Sequence, residues 1–235
     1  MRRQGINMAR GRGAARLRAL AFAGLLAAGT AVGTVGAAAG ATGTGDTTIL
    51  FGSRATAHQG LKPFPRWTGA IERYFEARKD RAGSCDDPTF NRCHYERWQA
   101  LIRDVAGKPR LRQLEAVNDF MNRYRYILDP INWGVKDYWA SPDEFFRRFG
   151  DCEDYAIAKY FSLRAIGVPA DDLRIVVLQD LNLGIPHAVL TVREGDKIYV
   201  LDNQISMVVE AGRIRHYRPI YSVNENGWWR YRPAG

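Results

Sequence analysis

Apolar positions recur every three to four residues through three stretches of the chain, which predicts amphipathic helices. The stretches are residues 68–80, 94–106 and 110–127. Residues 128–140 hold Pro, Gly and several aromatic residues without a clear period, so we expect an ordered loop. A short helix is then predicted from Ser141 to Gly150, because Ser141 as N-cap, Pro at N1 and Glu144 at N3 form a capping box.

A last helix is predicted from Asp151 to Ile166, where Gly167 ends it. Beyond Gly167 the pattern becomes strand-like and rich in β-branched residues. Three strands are predicted at 173–179, 187–193 and 197–203, and three weaker ones at 205–209, 214–221 and 227–232. Helices followed by a meander of strands predict an α+β fold with an antiparallel sheet.

The N-terminal residues 1–39 have the layout of a secretory signal peptide. An arginine-rich start leads into an apolar run and then into Ala37-Ala38-Ala39, which suits a signal peptidase. The alternative is a retained membrane anchor, but the run is rich in Ala and Gly and barely long enough to span a bilayer. Residues 40–66 are predicted to be a flexible lead-in, and residues 67–235 a single domain.

The net charge of +9 at first indicates a nucleic-acid partner. Six arginines and no acid lie within residues 1–39, however, and the remainder carries 28 basic against 25 acidic residues. The charge therefore belongs mostly to the segment that is removed, and we expect no nucleic-acid partner. In an exported protein Cys85 and Cys93 are predicted to form a disulfide, with two unpaired thiols as the alternative.

Cys152 is the strongest candidate for chemistry. It begins a helix, where unpaired backbone N–H groups and the macrodipole stabilise a thiolate and lower its pKa. A nucleophilic thiol also needs a base, and His187 and Asp202 lie on consecutive predicted strands. A Glu194-Gly195 turn places them directly opposite, and a Gly195-Asp196 turn places them diagonally on one face. Each residue alone has an ordinary structural explanation, but together they predict a Cys–His–Asp triad.

The acids beside Cys152 work against a thiolate, because negative charge raises the pKa of a thiol. Asp151, Glu153 and Asp154 are acceptable in a first helical turn and could simply point to solvent. Alternatively they hold a hard cation such as calcium, which would cancel their field. For an oxyanion hole, the N–H of Cys152 is the first expected donor, and the aromatic loop offers candidates for the second. The loop candidates are Asn132, Trp133 and Trp139.

Several segments resemble the bacterial transglutaminase-like cysteine proteinases. They are Tyr138–Phe145, Gly150–Tyr160 (GDCEDYAIAKY), Pro186–Leu190, Leu201–Asn203, Arg97-Trp98 and Val117–Phe120. The resemblance implies a transglutaminase-like variant of the papain fold, with Cys152 as nucleophile, His187 as base and Asp202 as its orienting acid. It also implies calcium at Asp151 and Glu153.

Within that family, the LapG-type proteases are periplasmic and release large surface adhesins by cutting near the N-terminus, which disperses biofilm. An inner-membrane receptor for cyclic di-GMP sequesters them. The resemblance thus implies a calcium-dependent periplasmic endopeptidase with an adhesin as substrate and that receptor as inhibitor. An amine-transferring transglutaminase or amidase uses the same triad, and a non-catalytic binding module would keep only the fold.

Overall fold

The computed structural model describes residues 48–77, 83–87 and 90–235. The predicted signal peptide and the first part of the predicted lead-in, residues 40–47, lie outside them. The helices are α1 (Pro65–Ala77), α2 (Arg92–Val105), α3 (Arg110–Asn122), α4 (Asp129–Asn132), α5 (Pro142–Arg148) and α6 (Cys152–Ala165). In the described residues no helix is both long enough and apolar enough to cross a membrane.

One antiparallel sheet forms the other half of the molecule. Its strands are β1 (Ile49–Leu50), β2 (Ser53–Gln59), β3 (Leu173–Asp180), β4 (Ile185–Glu194), β5 (Lys197–Leu201), β6 (Val209–Glu210), β7 (Tyr217–Val223) and β8 (Gly227–Pro233). They lie in the order β1-β2-β8-β7-β3-β4-β5-β6. This mixture of helices and one curled antiparallel sheet confirms the predicted α+β class.

Helix α6 is the centre of the fold. Its residues from Asp154 to Leu163 are all buried, as in a helix enclosed by protein on every side. It packs on β3 and β4 on one side and on α3 and α5 on the other. The main core lies between the helices and the sheet, and a smaller apolar cluster covers the opposite sheet face. The N-terminus of the central helix is thereby held at a fixed place beside β4.

The prediction of a flexible lead-in is wrong for the described residues between 48 and 66. Strand β2 pairs with β8 along its whole length, from Ser53 opposite Pro233 to Gln59 opposite Gly227. Helix α1 then begins at Pro65, before the predicted start at residue 68. The folded unit therefore includes residues N-terminal to 67, because they supply two strands of the sheet.

Two other boundaries differ from the prediction. Helix α3 ends at Asn122 instead of 127, because the chain turns so that Tyr126 bridges to Gly150. The strand predicted at 205–209 is reduced to Val209–Glu210, since the segment before it forms a turn whose carbonyls accept from Asn118 on α3. The predicted capping box at Ser141 is present, with Glu144 closing it.

Cys85 and Cys93 are joined in a disulfide, with their Cα atoms 4.9 Å apart. This agrees with the prediction of a bridge over the alternative of two thiols. Cys93 belongs to the first turn of α2, and Cys85 lies in the segment before it, so the bond ties that segment to the helix.

Candidate active site

The chain reaches Cys152 through a sharp reversal. Phe149 has a φ of 62°, an uncommon conformation for a residue with a side chain. At Gly150 a Cβ atom would overlap with the carboxylate of Asp154, so only glycine fits. Asp154 is fully buried and accepts from the N–H groups of Ala140 (2.6 Å) and Asp151 (3.3 Å). Asp154 therefore holds the reversal in place, and does not point to solvent.

The predicted base and its acid meet on the sheet. His187 Nε2 lies 2.9 Å from Asp202 Oδ1, and both side chains are buried. The β4–β5 register pairs Glu194 with Lys197, which makes Gly195-Asp196 the turn. The second of the two predicted registers is thus the one present, with His187 diagonal to Asp202.

Three donors converge on the Asp202 carboxylate. Besides His187, the hydroxyl of Tyr217 donates to Oδ2 at 2.6 Å and the N–H of Gln204 donates to Oδ1 at 2.8 Å. Burial alone raises the pKa of this carboxyl, but the hydrogen bonds from His187 and Tyr217, with the charge of His187, outweigh it and lower the pKa. Asp202 is therefore ionised and able to accept from Nε2–H. The nitrogen left for proton exchange is Nδ1, which the side-chain amide of Gln204 approaches at 3.4 Å.

Cys152 and His187 belong to the same site. The backbone N–H of Ala188, the residue after His187, lies near the Cys152 thiol and favours its ionised form. The thiol also lies 3.2 Å from Glu153 Oε2. Burial, followed by the charges of Glu153 and Asp151, raises the pKa of the Cys152 thiol, and the Ala188 N–H opposes this only in part. The predicted lowering by the helix N-terminus is wrong for the protein's own groups, because burial and the neighbouring carboxylates together outweigh the helix dipole.

The acids near Cys152 form a larger cluster than the sequence indicated. Carboxylate oxygens of Asp129, Asp151 and Asp154 lie within 4.8 Å of one another, and so do those of Asp129, Asp137 and Glu153. Burial and then the neighbouring Asp151 raise the pKa of Glu153 to about 9. Burial likewise raises the pKa of Asp129 to about 6, although the Tyr138 N–H opposes it.

The donor set of this acidic cluster fits a calcium ion. Calcium prefers several carboxylate and carbonyl oxygens, and Asp129, Asp137, Asp151 and Glu153 supply carboxylates from two segments. Two buried oxygens, Asp129 Oδ1 and Asp151 Oδ1, receive no hydrogen bond from the described residues. Buried carboxylate oxygens normally have partners, so these two are available as ligands.

The loop residues predicted as candidates for a second oxyanion donor make structural contacts instead. Asn132 donates its Nδ2 to the carbonyl of Phe149 at 3.0 Å, so this amide is committed to holding the reversal before Cys152. Trp133 packs on Tyr138 and lies under the guanidinium of Arg148. Trp139 is buried in the main core. The aromatic loop therefore acts mainly as a support.

Three features of the site were not predicted from the sequence. Tyr126 lies near the Cys152 side chain, and burial together with the Cys152 charge raises the pKa of its phenol. Tyr217 comes from β7, which is separated from β5 by the two strands β3 and β4. Asp129 and Asp137 lie in the aperiodic loop, where only a run of acids at ligand spacing would have drawn attention to them.

Comparison with known proteins identifies the family. A family model described as bacterial transglutaminase-like cysteine proteinase (BTLCP) matches residues 80–230, more than half of the chain. The chain belongs to this family. It is thus a cysteine peptidase, and the alternative of a non-catalytic binding module has no support. No curated protein sequence matches the chain.

Solved structures of one family member are similar over the same region. Legionella pneumophila LapG is 36% identical over 68% of this chain and 87% of its own, with a TM-score of 0.55. Its calcium-bound form is 37% identical over 68% and 87%, with a TM-score of 0.56. The EGTA-treated form is 36% identical over 71% and 87%, with a TM-score of 0.57. This bacterial transglutaminase-like proteinase therefore has the papain-like fold and is similar to LapG.

Proposed function

We propose that this cysteine peptidase is a calcium-dependent endopeptidase that is exported to the periplasm and cuts a large surface adhesin in its N-terminal region. The observation that carries the catalytic part is the buried contact of His187 with Asp202 at 2.9 Å, with the N–H of the next residue, Ala188, near the Cys152 thiol. Export is supported by the signal-like pattern of residues 1–39.

In the proposed reaction Cys152 is the nucleophile. His187 takes the thiol proton, and the sulfur attacks the carbonyl carbon of the scissile peptide bond. The imidazolium returns that proton to the leaving amine, and an acyl-enzyme thioester remains. Water, deprotonated by His187, then attacks the thioester and frees the thiol. Asp202 keeps Nε2 protonated throughout and so directs Nδ1 towards the reacting atoms.

Asp129, Asp137, Asp151 and Glu153 are the proposed ligands for calcium. Bound there, the ion would supply positive charge beside the thiol and so favour its ionisation. The acidic cluster otherwise raises the pKa of the nucleophile, which works against catalysis. Legionella LapG has been solved in a calcium-bound and an EGTA-treated form, which supports a role for calcium in that protein.

Two partners follow from the similarity to LapG-type proteases. The substrate is a large adhesin, and the proposed inhibitor is an inner-membrane receptor for cyclic di-GMP that sequesters the protease.

A cleavage assay tests the proposal. Purified protein from residue 40 onward is incubated with the N-terminal region of a large adhesin from the same genome, with calcium or with EGTA. We expect one discrete product, and its loss in EGTA and in Cys152→Ala. A product that survives EGTA would contradict the calcium dependence alone. A labelled primary amine added to the same assay separates hydrolysis from amine transfer, because only transfer incorporates the label.

A further inference from the structure

Arg66 is the one cation that forms an ion pair with the acidic cluster among the described residues. Its Nη1 lies 3.3 Å from Asp137 Oδ2, and its Nε donates to the Asp137 carbonyl oxygen at 3.1 Å. The other carboxylates of the cluster, those of Asp129, Asp151 and Glu153, have no ion pair in the described part of the chain. The guanidinium therefore engages, on one residue, both kinds of oxygen that calcium prefers.

The position of Arg66 in helix α1 is an unfavourable one for a cation. Arg66 is the second residue of α1, where the partial positive charge of the helix N-terminus repels a guanidinium. The backbone there is fixed, because the next residue, Trp67, is fully buried and donates from Nε1 to the Asn224 carbonyl at 2.9 Å. The ion pair with Asp137 offsets this repulsion, so the guanidinium is held beside the cluster.

Asp137 lies at the outer edge of the acidic cluster. Its side chain is 40% exposed, whereas Asp129 and Asp151 are buried. A carboxylate oxygen of Asp137 nevertheless lies within 4.8 Å of oxygens of Asp129 and Glu153. Calcium holds its oxygens at about 2.3–2.6 Å, so two ligands of one ion lie at most about 5 Å apart. The Asp137 carboxylate is thus within reach of an ion in the cluster, although Arg66 already engages it.

We propose that Arg66 competes with calcium for the Asp137 carboxylate and so sets the calcium affinity of this peptidase. In the metal-free protein the guanidinium holds the carboxylate at the edge of the cluster. When calcium binds, the carboxylate turns to the ion and the guanidinium releases it. This inference rests on the calcium site of the proposed function. It predicts that removing Arg66 tightens calcium binding, whereas removing a ligand weakens it.

Isothermal titration calorimetry with calcium, on purified protein from residue 40 onward, tests the competition without any substrate. More than half of the Arg66 side chain is exposed, so Arg66→Gln should fold normally. We expect its Kd for calcium to fall by about threefold or more, because a positive charge beside the site is gone. Arg92→Gln is the matched control, since Arg92 is similarly exposed but pairs with Glu96 on α2, and it should bind calcium as the wild type does.

An unchanged or higher Kd in Arg66→Gln overturns the inference and leaves the calcium site standing. If the wild type binds no calcium, the inference fails together with the calcium part of the proposed function, so the two failures are distinguishable.

A double-mutant cycle with Asp137→Asn separates competition for one carboxylate from general repulsion between two cations. In the Asp137→Asn background, Arg66→Gln should change the Kd for calcium by less than about twofold. An equal fold-change in both backgrounds overturns the competition.

Melting temperatures give a second readout. Calcium should raise the melting temperature of Arg66→Gln more than that of the wild type, because the rise grows as the Kd falls. In EGTA the variant should melt no higher than the wild type, since it has lost an ion pair. A calcium-induced rise that is no larger than in the wild type contradicts the inference.

Discussion

Two carboxylate environments stand side by side in this site and behave oppositely. Asp202 is buried among three hydrogen-bond donors, and its pKa is lowered. The acidic cluster of Asp129, Asp137, Asp151 and Glu153 has more charge than donors, and burial raises the pKa of Glu153 to about 9. The chain supplies the hydrogen-bond donors of the first environment, whereas the second keeps an excess of carboxylates, for which calcium is the proposed counter-charge. One half of the site is therefore prebuilt, and the other half is open to control by a ligand.

The largest loss of activity is expected from a substitution in the prebuilt half of the site, the Asp202 environment. Replacing Asp202 with Asn removes the charge that fixes the His187 tautomer, and we expect kcat/KM to fall by about 10³–10⁴, as for the corresponding change in a serine protease triad. Steady-state peptidase kinetics measure this fall in kcat/KM. Asp180→Asn is the matched control, because Asp180 is also a buried acid at a strand end but accepts only from turn N–H groups. Equal losses in both variants would show that the effect comes from the fold.

The open half predicts a smaller, reversible effect. Chelating calcium should lower kcat/KM by about tenfold or more and lower the melting temperature by several degrees, because a ligand that binds only the native state stabilises it. Calorimetry with calcium and with EGTA measures the temperature shift. Glu153→Gln should abolish the calcium response, whereas Glu115→Gln, on the exposed face of α3, should keep it. A shift that persists in Glu153→Gln would place the ion elsewhere.

Tyr217→Phe weakens the prebuilt half without removing its charge. The lost hydrogen bond to Asp202 is of the charge-assisted kind, so we expect about 1.5–3 kcal/mol less stability at pH 7. Tyr217 helps to lower the pKa of Asp202, and a lowered carboxyl pKa stabilises the fold above about pH 4. The difference between variant and wild type should therefore shrink as the pH falls through that range. Urea unfolding at several pH values measures it, and a difference independent of pH would contradict the assignment.

The open half should respond to pH with the opposite sign. Raised carboxyl pKa values mean that the calcium-free fold loses stability as the pH rises from about 4 towards 9, since the folded state binds more protons than the unfolded state. Calcium replaces those protons, so its stabilising shift should be larger at pH 8 than at pH 5. We expect the rise in melting temperature caused by calcium to differ by a few degrees between these two pH values, as measured by calorimetry. Equal shifts at both pH values would mean that the acids are already ionised without the metal.

Much of the fold could be predicted because it depends on short-range sequence patterns. The helical periods, the capping box at Ser141 and the strand run from Leu173 onward all depend on neighbours a few residues apart. Strand β2 was missed because its burial comes from pairing with β8, at the far end of the chain. Sequence spacing also left two β4–β5 registers open, and the position of one turn residue decided between them.

The residues of the candidate site likewise include some that local spacing relates and others that only the folded chain brings together. Cys152, His187 and Asp202 could be proposed together because a helix start and one hairpin relate them by simple geometry. Tyr217 reaches Asp202 from a non-adjacent strand, and no spacing rule connects the two residues. Asp129 and Asp137 were missed for a different reason. Their loop has no period, and the folded chain brings them beside Glu153 only after α5 and α6 have packed.

The pairing of β2 with β8 has a practical consequence for anyone preparing this protein. Trimming the chain to residue 67, the start of the domain predicted from the sequence, would remove the strand that covers a β8 edge carrying Trp228 and Trp229. An uncovered edge with aromatic side chains is a template for intermolecular strand addition. Such a shortened protein should aggregate during purification although every residue of its active site is intact.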